Sequence, residues 1–301
     1  MSTTADLRAA LELTTGARVV SMTRVPGGDI NEAFRVHLDD GRPLFVKTRP
    51  DASPGEYAGE AAGLDWLREP AALAVASVVA VHDPPSGQRG PRLLALDWIA
   101  SGARTPQLEE QLGRGLAGVH DAGAGAFGAT TSAGGSPPPL RLASLSLSNE
   151  PTDDWGAFYA ERRLRPVAAV ARDGGGLSAA GAQAVERVCE RIADLVGPPE
   201  PPARVHGDLW SANVLTGADG RPCLIDPVAH GAHREMDLAM LRLFGSPGPG
   251  LLAAYEEVSP LSDGHAERVA LWQLFPLLVH AALFGGAYGQ SALRVARRYA
   301  G

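Results

Sequence analysis

The sequence predicts an α+β protein with two lobes, in which a small antiparallel sheet with one helix precedes a larger helical lobe. The chain has 301 residues, of which 45% are hydrophobic, so it can bury a large core. Short apolar runs separated by turn residues fill the first third, whereas apolar residues at helical spacing dominate from Thr105 onward. A boundary at Ser101 and Gly102, where an extended connector would form a hinge, gives lobes 1–101 and 102–301.

The first lobe is predicted to contain its elements in the order strand, strand, strand, helix, strand, strand. The second and third strands meet across Asp39, Asp40 and Gly41, which is a hairpin signature. In the helix, Ser53 is expected to cap a first turn begun by Pro54. The segments are ARVVSMTRV, EAFRVHL, PLFVKT, SPGEYAGEAAGLDWLRE, ASVVAVH and PRLLALDWI.

The second lobe is predicted to consist mainly of helices, with a loose surface loop over 121–151 where Ala, Gly, Ser and Pro accumulate. Its most apolar run, LWQLFPLLVHAALFGGA, is interrupted by Pro276 and His280 and is short for a bilayer span. We therefore expect a core helix in this segment.

The net charge and the cysteine content limit which binding partners and which cellular compartment are expected. A formal net charge of −7 argues against generic binding to nucleic acid or to anionic membranes, so any phosphate must be held locally. Cys189 and Cys223 have no metal-type spacing, and the N-terminus lacks a basic and apolar signal segment. These features favour the cytoplasm.

A polar cluster, VHGDLWSANVL, lies between two short apolar strands. It places Asp208 after His and Gly, and Asn213 five residues further on. One interpretation is structural, with Asp208 capping loop amides and Asn213 making a turn. The other is a functional site, and the residues that follow favour it.

Thirteen residues after Asn213 an apolar strand ends in Asp226, and the turn GADGR makes NVLT and PCLID a hairpin. This hairpin is predicted to bring Asn213 and Asp226 together beside Asp208. Amide and carboxylate oxygens are the hard ligands that Mg²⁺ prefers. The sequence thus predicts Asn213 and Asp226 as Mg²⁺ ligands. Asp208 is predicted to accept a hydrogen bond, and then the proton, from a substrate hydroxyl.

Lys47 and Glu60 complete a set typical of phosphoryl transfer, in which kinases use a strand lysine and a helix glutamate on the nucleotide side. Lys47 is the single lysine in a chain whose Lys and Arg total 27. Strand alternation puts it on the same face as Phe45. Glu60 shares the apolar helix stripe with Tyr57, so it needs a buried cation, and Lys47 is the simplest partner. The alternative is an exposed helix with ordinary surface acids.

The turn PGGDIN, between the first two predicted strands, is weaker evidence for nucleotide binding because paired glycines are common in turns. Its position predicts phosphate contacts from the backbone amides of Gly28, Asp29 and Ile30. Asn31 is expected to help fix this loop.

Six segments between about Gly27 and Ala292 match the pattern of a known family: HGDLWSAN, LIDPVAHGAHREMDLAMLRLFG, SPLSDGHAERVALWQLFPLLVHAALFGGAYGQSA, GGDIN, FVKT and EAAGLDWL. On these segments the sequence resembles the fructosamine kinase (ketosamine 3-kinase) family. The His-Gly-Asp and Asn spacing alone is shared with aminoglycoside phosphotransferases and choline kinases. The chain departs from the family at VAHGAH, where aromatics are common, and at LLVHAALFG, where an Asn-rich stretch is common.

The resemblance implies a two-lobed protein-kinase-like fold and ATP-dependent phosphorylation of the third-carbon hydroxyl of a ketose joined to an amine. Such a product is unstable and sheds the sugar, which makes the reaction a deglycation. ATP and Mg²⁺ are the implied cofactors, with adenine against Leu96, Asp97, Trp98 and Ile99. The implied partner is a small-molecule ketosamine or a glycated protein, and no oligomeric state is specified.

On the acceptor side the resemblance implies Trp210, His230, His233, Arg234 and Glu235 as substrate residues. Trp210 has two interpretations, a wall for the substrate or a core residue that locks the loop. The two histidines are expected to contact substrate or backbone rather than a metal, because no third ligand is evident nearby. A kinase of the aminoglycoside or choline type and a catalytically silent binding protein remain the alternative functions.

Overall fold

The structure is a computed structural model that describes residues 4–26, 31–88, 90–128, 139–245 and 247–301. The chain forms two compact units. Unit 1 consists of Met1–Leu108 and Val214–Pro227, and unit 2 consists of Glu109–Asn213 and Val228–Gly301. These units differ from the ranges 1–101 and 102–301 chiefly because segment 214–227 belongs to unit 1.

The elements are numbered in chain order over both units. The strands are β1 (Val19–Val25), β2 (Glu32–Leu38), β3 (Pro43–Thr48), β4 (Ala74–Val75), β5 (Val78–His82), β6 (Leu93–Asp97), β7 (Leu140–Leu142), β8 (Leu145–Leu147), β9 (Ala203–Val205), β10 (Val214–Thr216), β11 (Pro222–Leu224) and β12 (His230–Ala232). The helices are α1 (Thr4–Thr15), α2 (Glu56–Arg68), α3 (Leu108–Asp121), α4 (Trp155–Phe158), α5 (Arg165–Asp173), α6 (Ala179–Glu190), α7 (Ile192–Leu195), α8 (Glu235–Leu241), α9 (Pro249–Val258), α10 (His265–Phe284) and α11 (Ala287–Tyr299). A π-helical turn, Tyr159–Leu164, joins α4 to α5, and a 3₁₀ turn, Ser211–Asn213, precedes β10.

Unit 1 is built on a five-stranded antiparallel sheet in the order β1-β2-β3-β6-β5, which confirms the predicted strands and the hairpin at Asp39–Gly41. Alternate residues of its strands, including Val36 and Val46, form a core with Leu11 of α1. Lys47 therefore points to the opposite face of β3. Helix α1 is absent from the predicted order of elements, because that order began at the first strand.

Helix α2 confirms the predicted helix but not its cap. The helix begins at Glu56 after Gly55, which has a left-handed backbone and makes no side-chain cap. The carboxylate of Glu56 accepts the backbone N–H of Ser53 at 3.0 Å, so Ser53 donates to the first turn rather than capping it. The expected buried stripe is present, because Tyr57, Ala61 and Leu64 are all buried.

A second small sheet of unit 1 contains the predicted hairpin of β10 and β11. The register pairs Val214 with Leu224, and β4 adds to β11 in parallel. The predicted hinge residues are tied to this hairpin, since Gly102 donates its N–H to the carbonyl of Thr216 at 2.9 Å and Ser101 bridges to Gly217. They are held in place by backbone pairing and do not form a free connector.

Unit 2 is helical, and α10 lies in its core with Leu271, Trp272 and Leu278 buried. Pro276 within α10 cannot donate a backbone hydrogen bond. This leaves the carbonyl of Trp272, four residues earlier, without its helical donor. The buried hydroxyl of Tyr159 lies 3.4 Å from that carbonyl and donates to the carbonyl of Leu271 at 2.8 Å. The expected core helix is confirmed, and no helix among the described residues has the length and apolarity needed to cross a membrane.

Part of segment 121–151 is more ordered than predicted. Strands β7 and β8 pair as an antiparallel hairpin. Leu140, Leu145 and Leu147 of this hairpin are buried in the core of unit 2. Burial of these apolar side chains stabilises the hairpin, although the composition around it is typical of a loop. Residues 129–138 of the segment lie outside the described residues.

Candidate active site

Unit 1 brings together Lys47, Glu60 and Asp226. The Nζ atom of Lys47 lies 2.5 Å from Oε1 of Glu60 and 2.9 Å from Oδ1 of Asp226. The contact with Asp226 is a hydrogen bond, whereas the contact with Glu60 is an ion pair without hydrogen-bond geometry. The pairing of Lys47 with Glu60 that the sequence predicts is therefore present.

The electrostatics of this cluster keep Lys47 charged. Burial alone would lower the pKa of Lys47, but the carboxylates of Glu60 and Asp226 outweigh it and raise the pKa above its ordinary value. Burial raises the pKa of Glu60, although the Lys47 ammonium opposes part of that rise. A buried and permanently charged ammonium suits the binding of phosphate oxygens.

Asp226 has the properties expected of a Mg²⁺ ligand. Its Oδ1 accepts a hydrogen bond from Lys47, while the side chain as a whole is 44% exposed. Its backbone has φ 53°, a left-handed conformation that Asp tolerates better than most residues and that recurs at functional sites. A carboxylate oxygen of this kind fits the hard-ligand preference of Mg²⁺.

In unit 2, the loop around Asp208 is held by the buried carboxylate of Asp237. The N–H groups of His206 and Gly207 donate to its two oxygens at 2.6 and 2.9 Å. Gly207 has φ 83°, and a Cβ atom there would lie 2.2 Å from the carbonyl oxygen of Val228. Only glycine fits this position, which explains the Gly of the His-Gly-Asp sequence.

Asn213 is tied to the same loop. Its Nδ2 donates to the carbonyl of Asp208 at 2.8 Å and lies 3.3 Å from the carboxylate Oδ2 of that residue. This orientation turns the amide oxygen of Asn213 away from the Asp208 carbonyl. The amide oxygen is a hard donor and suits Mg²⁺ as the carboxylate of Asp226 does.

Asp237 belongs to a buried network that sequence reasoning missed. His120 contacts Asp237 Oδ2 through Nε2 at 3.3 Å and the Tyr255 hydroxyl through Nδ1 at 2.8 Å. Burial alone would raise the pKa of Asp237, but the hydrogen bonds from His120 and the Gly207 amide hold it below the ordinary value. An acidic residue in the apolar run MDLAML was the signal in the sequence, because a buried carboxylate requires partners.

Trp210 follows Asp208 by two residues and is half-buried. Leu209 between them is fully buried, so the loop is anchored by the leucine rather than by the indole. The Trp210 ring contacts the Phe244 ring edge-on at a centroid distance of 6.0 Å. This position is compatible with a wall for the substrate, which remains a prediction.

The predicted nucleotide contacts are described only in part. Gly28, Asp29 and Ile30 lie outside the described residues. Asn31, at the edge of this turn, accepts a hydrogen bond from the Tyr57 hydroxyl at 3.0 Å, which ties the start of β2 to α2.

The four residues predicted to contact adenine lie at the end of β6 and just beyond it. Leu96 is buried, Asp97 is exposed, and Trp98 and Ile99 are half-buried. The guanidinium of Arg35 lies over the Trp98 ring, 4.5 Å from its centroid. The adenine contacts of these residues remain predictions.

His230 and His233 are buried and have protein neighbours. His230 lies in β12, its Nδ1 is 2.8 Å from the carbonyl of Val228, and burial lowers its pKa to about 3. His233 stacks on Trp272 at 5.2 Å, and burial lowers its pKa as well. Of the two expected types of contact, the backbone contact is observed for His230.

Arg234 and Glu235 also have protein partners. Arg234 donates to both oxygens of Glu200 at 2.7 and 3.0 Å, and Arg268 donates to both oxygens of Glu235 at 3.0 and 2.5 Å. These partners all lie within the protein, and the assignment of His230, His233, Arg234 and Glu235 to the substrate remains a prediction.

Glu200, His233 and Glu235 offer ligand atoms within 4.8 Å of one another, a spacing that a metal ion could use. Two guanidinium groups already occupy the carboxylates of this group. A metal ion would have to displace them, so we assign no metal to it.

The arrangement of these residues defines a class of protein. A strand lysine paired with a helix glutamate and a downstream aspartate, together with an aspartate followed five residues later by an asparagine, is the set used by kinase-like phosphotransferases. Within that class, the chain belongs to the fructosamine kinase family, whose sequence profile matches residues 2–300.

Similar proteins agree with this assignment. A solved structure from Thermobifida fusca, described as a fructosamine-3-kinase, is 41% identical, with a TM-score of 0.86 and 98% of each chain covered. A protein from Synechocystis sp. named probable ketoamine kinase is 33% identical over 93% of this chain and 90% of its own. The chloroplastic protein-ribulosamine 3-kinase of Arabidopsis thaliana is 31% identical over 94% of this chain and 83% of its own. The predicted fold class and family are thus confirmed.

Proposed function

We propose that this protein transfers the γ-phosphoryl group of ATP to the third-carbon hydroxyl of a ketosamine. The observation that carries the proposal is the buried Lys47 between Glu60 and Asp226, in a chain of the fructosamine kinase family. The names of the similar proteins, which include a ketoamine kinase and a ribulosamine kinase, support this acceptor over an aminoglycoside or choline.

In the proposed reaction, Lys47 neutralises the α- and β-phosphates of ATP, and Asp208 orients the acceptor hydroxyl and takes its proton. The acceptor oxygen forms the new bond to the γ-phosphorus while the bond to the β-phosphate oxygen breaks and ADP leaves. Asn213 and Asp226 would hold Mg²⁺, which supplies positive charge to the phosphate oxygens. Because the transition state is loose, positioning and charge neutralisation contribute most of the acceleration.

The acceptor class is a ketose joined through its first carbon to an amine, either as a small molecule or on a glycated protein. Phosphorylation at the third carbon would lead to loss of the sugar and return of the amine. The two cysteines, Cys189 and Cys223, are both free thiols, which is compatible with the proposed reducing cytoplasm.

ATP consumption with a panel of acceptors tests the proposal. Fructosyl- and ribulosyl-amines should support turnover that depends on Asp208, whereas kanamycin and choline should not. Turnover with kanamycin or choline and with no ketosamine would contradict the proposed acceptor and leave the kinase assignment intact.

A further inference from the structure

Five aromatic rings of unit 2 form a continuous surface cluster, which we call the aromatic ledge. Its members are Trp210, Phe244, His280, Phe284 and Tyr288. His280 lies at the centre, with ring centroids 4.9 Å from Phe244, 5.7 Å from Phe284 and 4.9 Å from Tyr288. Trp210 adds to the far side of Phe244 at 6.0 Å, so the ledge begins two residues after Asp208.

Rings of the ledge are exposed to solvent, although burial of their apolar surface would be favourable in free energy. Phe284 is 59% exposed and Phe244 is 38% exposed, and both are among the few large apolar side chains of the described residues that are exposed. Contiguous exposed apolar rings beside a polar site mark a binding surface more often than scattered single residues do.

The backbone of α10 and of the turn that follows it places the rings of the ledge next to one another. His280 and Phe284 lie one turn apart on α10, so their rings share one face of the helix. Gly285 and Gly286, with φ 65° and 63°, end α10 and reverse the chain into α11, whose first turn places Tyr288 against His280. A residue with a side chain would be strained at either glycine.

The central imidazole adds a hydrogen-bond acceptor to the ring faces. His280 Nδ1 lies 2.8 Å from the carbonyl of Pro276, which can only accept, so Nδ1 carries the hydrogen. In the neutral imidazole, Nε2 is then the acceptor nitrogen. Electron-rich ring faces around an acceptor nitrogen suit a ligand that carries a cationic N–H group and a carbon chain.

We propose that the aromatic ledge binds the ammonium group and attached carbon chain of the ketosamine, and so selects ketosamines over neutral ketose derivatives. A ketosamine carries such a group on its first carbon, two carbons from the hydroxyl that would receive the phosphate. Trp210, the first ring of the ledge, follows Asp208 by two residues, so the ledge starts in the loop that carries the proposed catalytic carboxylate. The inference rests on the proposed function and names the side chains that bind the amine.

Steady-state kinetics of Phe244→Leu and of the double variant Phe244→Leu/Phe284→Leu test the proposal. The two acceptors are fructosyl-lysine and its neutral counterpart, in which an ether oxygen replaces the amine nitrogen. Leucine keeps apolar bulk and removes the ring face, so KM for fructosyl-lysine should rise about two- to fivefold in the single variant and about tenfold in the double variant. The values of kcat, KM for ATP and KM for the ether should stay within about twofold.

Two controls accompany these variants. Phe244→Tyr keeps a ring face and should leave KM for fructosyl-lysine at the wild-type value. Leu13→Ala changes an apolar side chain of unit 1 that is 77% exposed and should leave all parameters unchanged.

Equal increases in KM for both acceptors would overturn selection of the ammonium, and unchanged KM for both would remove the ledge from the acceptor site. A wild-type protein inactive on every ketosamine would contradict the proposed function and this inference with it. An active wild type with unaltered ledge variants would overturn the ledge alone.

Discussion

Lys47 and Asp226 are 179 residues apart in the sequence, yet Nζ of the lysine donates a hydrogen bond of 2.9 Å to Oδ1 of the aspartate. Segment 214–227 makes this contact possible because it joins the compact unit formed by the first part of the chain. The proposed phosphate-binding lysine and one proposed Mg²⁺ ligand are therefore held by the same unit. The roles proposed for these two residues can be tested separately.

Replacement of Lys47 by methionine should abolish activity while the fold persists. The substitution removes the charge proposed to lie on the phosphates, so kcat/KM for ATP should fall by about 10²-fold or more. Activity assays and thermal unfolding of the same preparation check this. A melting temperature and a turnover both near wild type would refute the role of Lys47.

Because Lys47 is the only lysine in the chain, a lysine-reactive acyl phosphate of ATP can label no other lysine side chain. Peptide mapping should find the label on Lys47, and excess ATP should block it. Lys47→Arg is the matched control, since it keeps a positive charge and removes the reactive amine. Labelling that ATP does not reduce would mean that the lysine lies away from the bound phosphates.

Asp226→Asn and Asn213→Ala should each raise the Mg²⁺ concentration needed for half-maximal activity and lower turnover. Each variant removes a ligand oxygen or weakens its charge. Asp219→Asn, in the turn between β10 and β11, is the matched control that leaves the proposed ligands intact. Equal Mg²⁺ dependence in wild type and in both ligand variants would place the metal elsewhere.

Asp237→Asn should lower kcat through the position of Asp208. The new amide nitrogen cannot accept from the N–H groups of His206 and Gly207, so one buried donor loses its partner at a cost of about 1–3 kcal/mol. We expect a lower melting temperature and about tenfold lower kcat, on the scale set by misplacement of a reacting group. The Kd for ATP should not change.

The comparison for Asp237→Asn is Asp194→Asn, which alters an exposed acid of unit 2 and should leave stability and kcat at the wild-type values. Restored kcat in Asp237→Glu would support a positioning role. A loss of stability with wild-type kcat would show that Asp237 holds the fold but not the geometry of Asp208.

Glu200 is expected to make the free energy of unfolding depend on pH. Burial alone would raise its pKa, but hydrogen bonds from Arg234 and Ser262 lower the pKa from 4.5 to about 2. A depressed carboxyl pKa contributes stability that is present above pH 4.5 and lost as the pH falls toward 2. Glu200→Gln should reduce the free energy of unfolding at neutral pH by roughly 2 kcal/mol and flatten its pH dependence in that interval.

The same variant distinguishes a structural role of Arg234 from a substrate role. If the pair with Glu200 is structural, KM for the ketosamine should stay at the wild-type value in Glu200→Gln. Glu190→Gln, at an exposed acid of unit 2, provides the control for removal of a charge. An unchanged pH dependence of unfolding would contradict the proposed contribution of Glu200.

Periodicity and spacing predicted the parts of the fold that depend on local pattern. The strands of the first sheet, the stripe of α2 and the hairpin of β10 and β11 each follow from apolar alternation and turn residues. The pairing of Lys47 with Glu60 was also predictable, because an inward carboxylate requires a cation and the chain has one lysine.

Contacts between distant segments could not be read from the sequence. The pairing of Thr216 with Gly102 and the bond of Asp237 to the loop at His206 depend on tertiary packing that no local pattern encodes. The assignment of Arg234 to the substrate came from the family resemblance. Its pairing with Glu200 is another contact between distant segments that no local pattern encodes.

In the proposed reaction, Asp208 receives the proton of the third-carbon hydroxyl of a ketosamine. Asp208→Asn should reduce turnover by about 10²–10⁴-fold and should still bind ATP with Mg²⁺, because the other proposed nucleotide ligands remain. A reduction below this range would indicate that Asp208 mainly orients the hydroxyl.

The most direct test is the NMR spectrum of the product formed by the wild-type protein from ATP and fructosyl-lysine. Phosphorus should couple to the proton on the third carbon of the ketose, and Asp208→Asn should form this product about 10²–10⁴-fold more slowly. Phosphate on another hydroxyl, or no product from any ketosamine alongside rapid phosphorylation of an aminoglycoside, would contradict the proposed reaction.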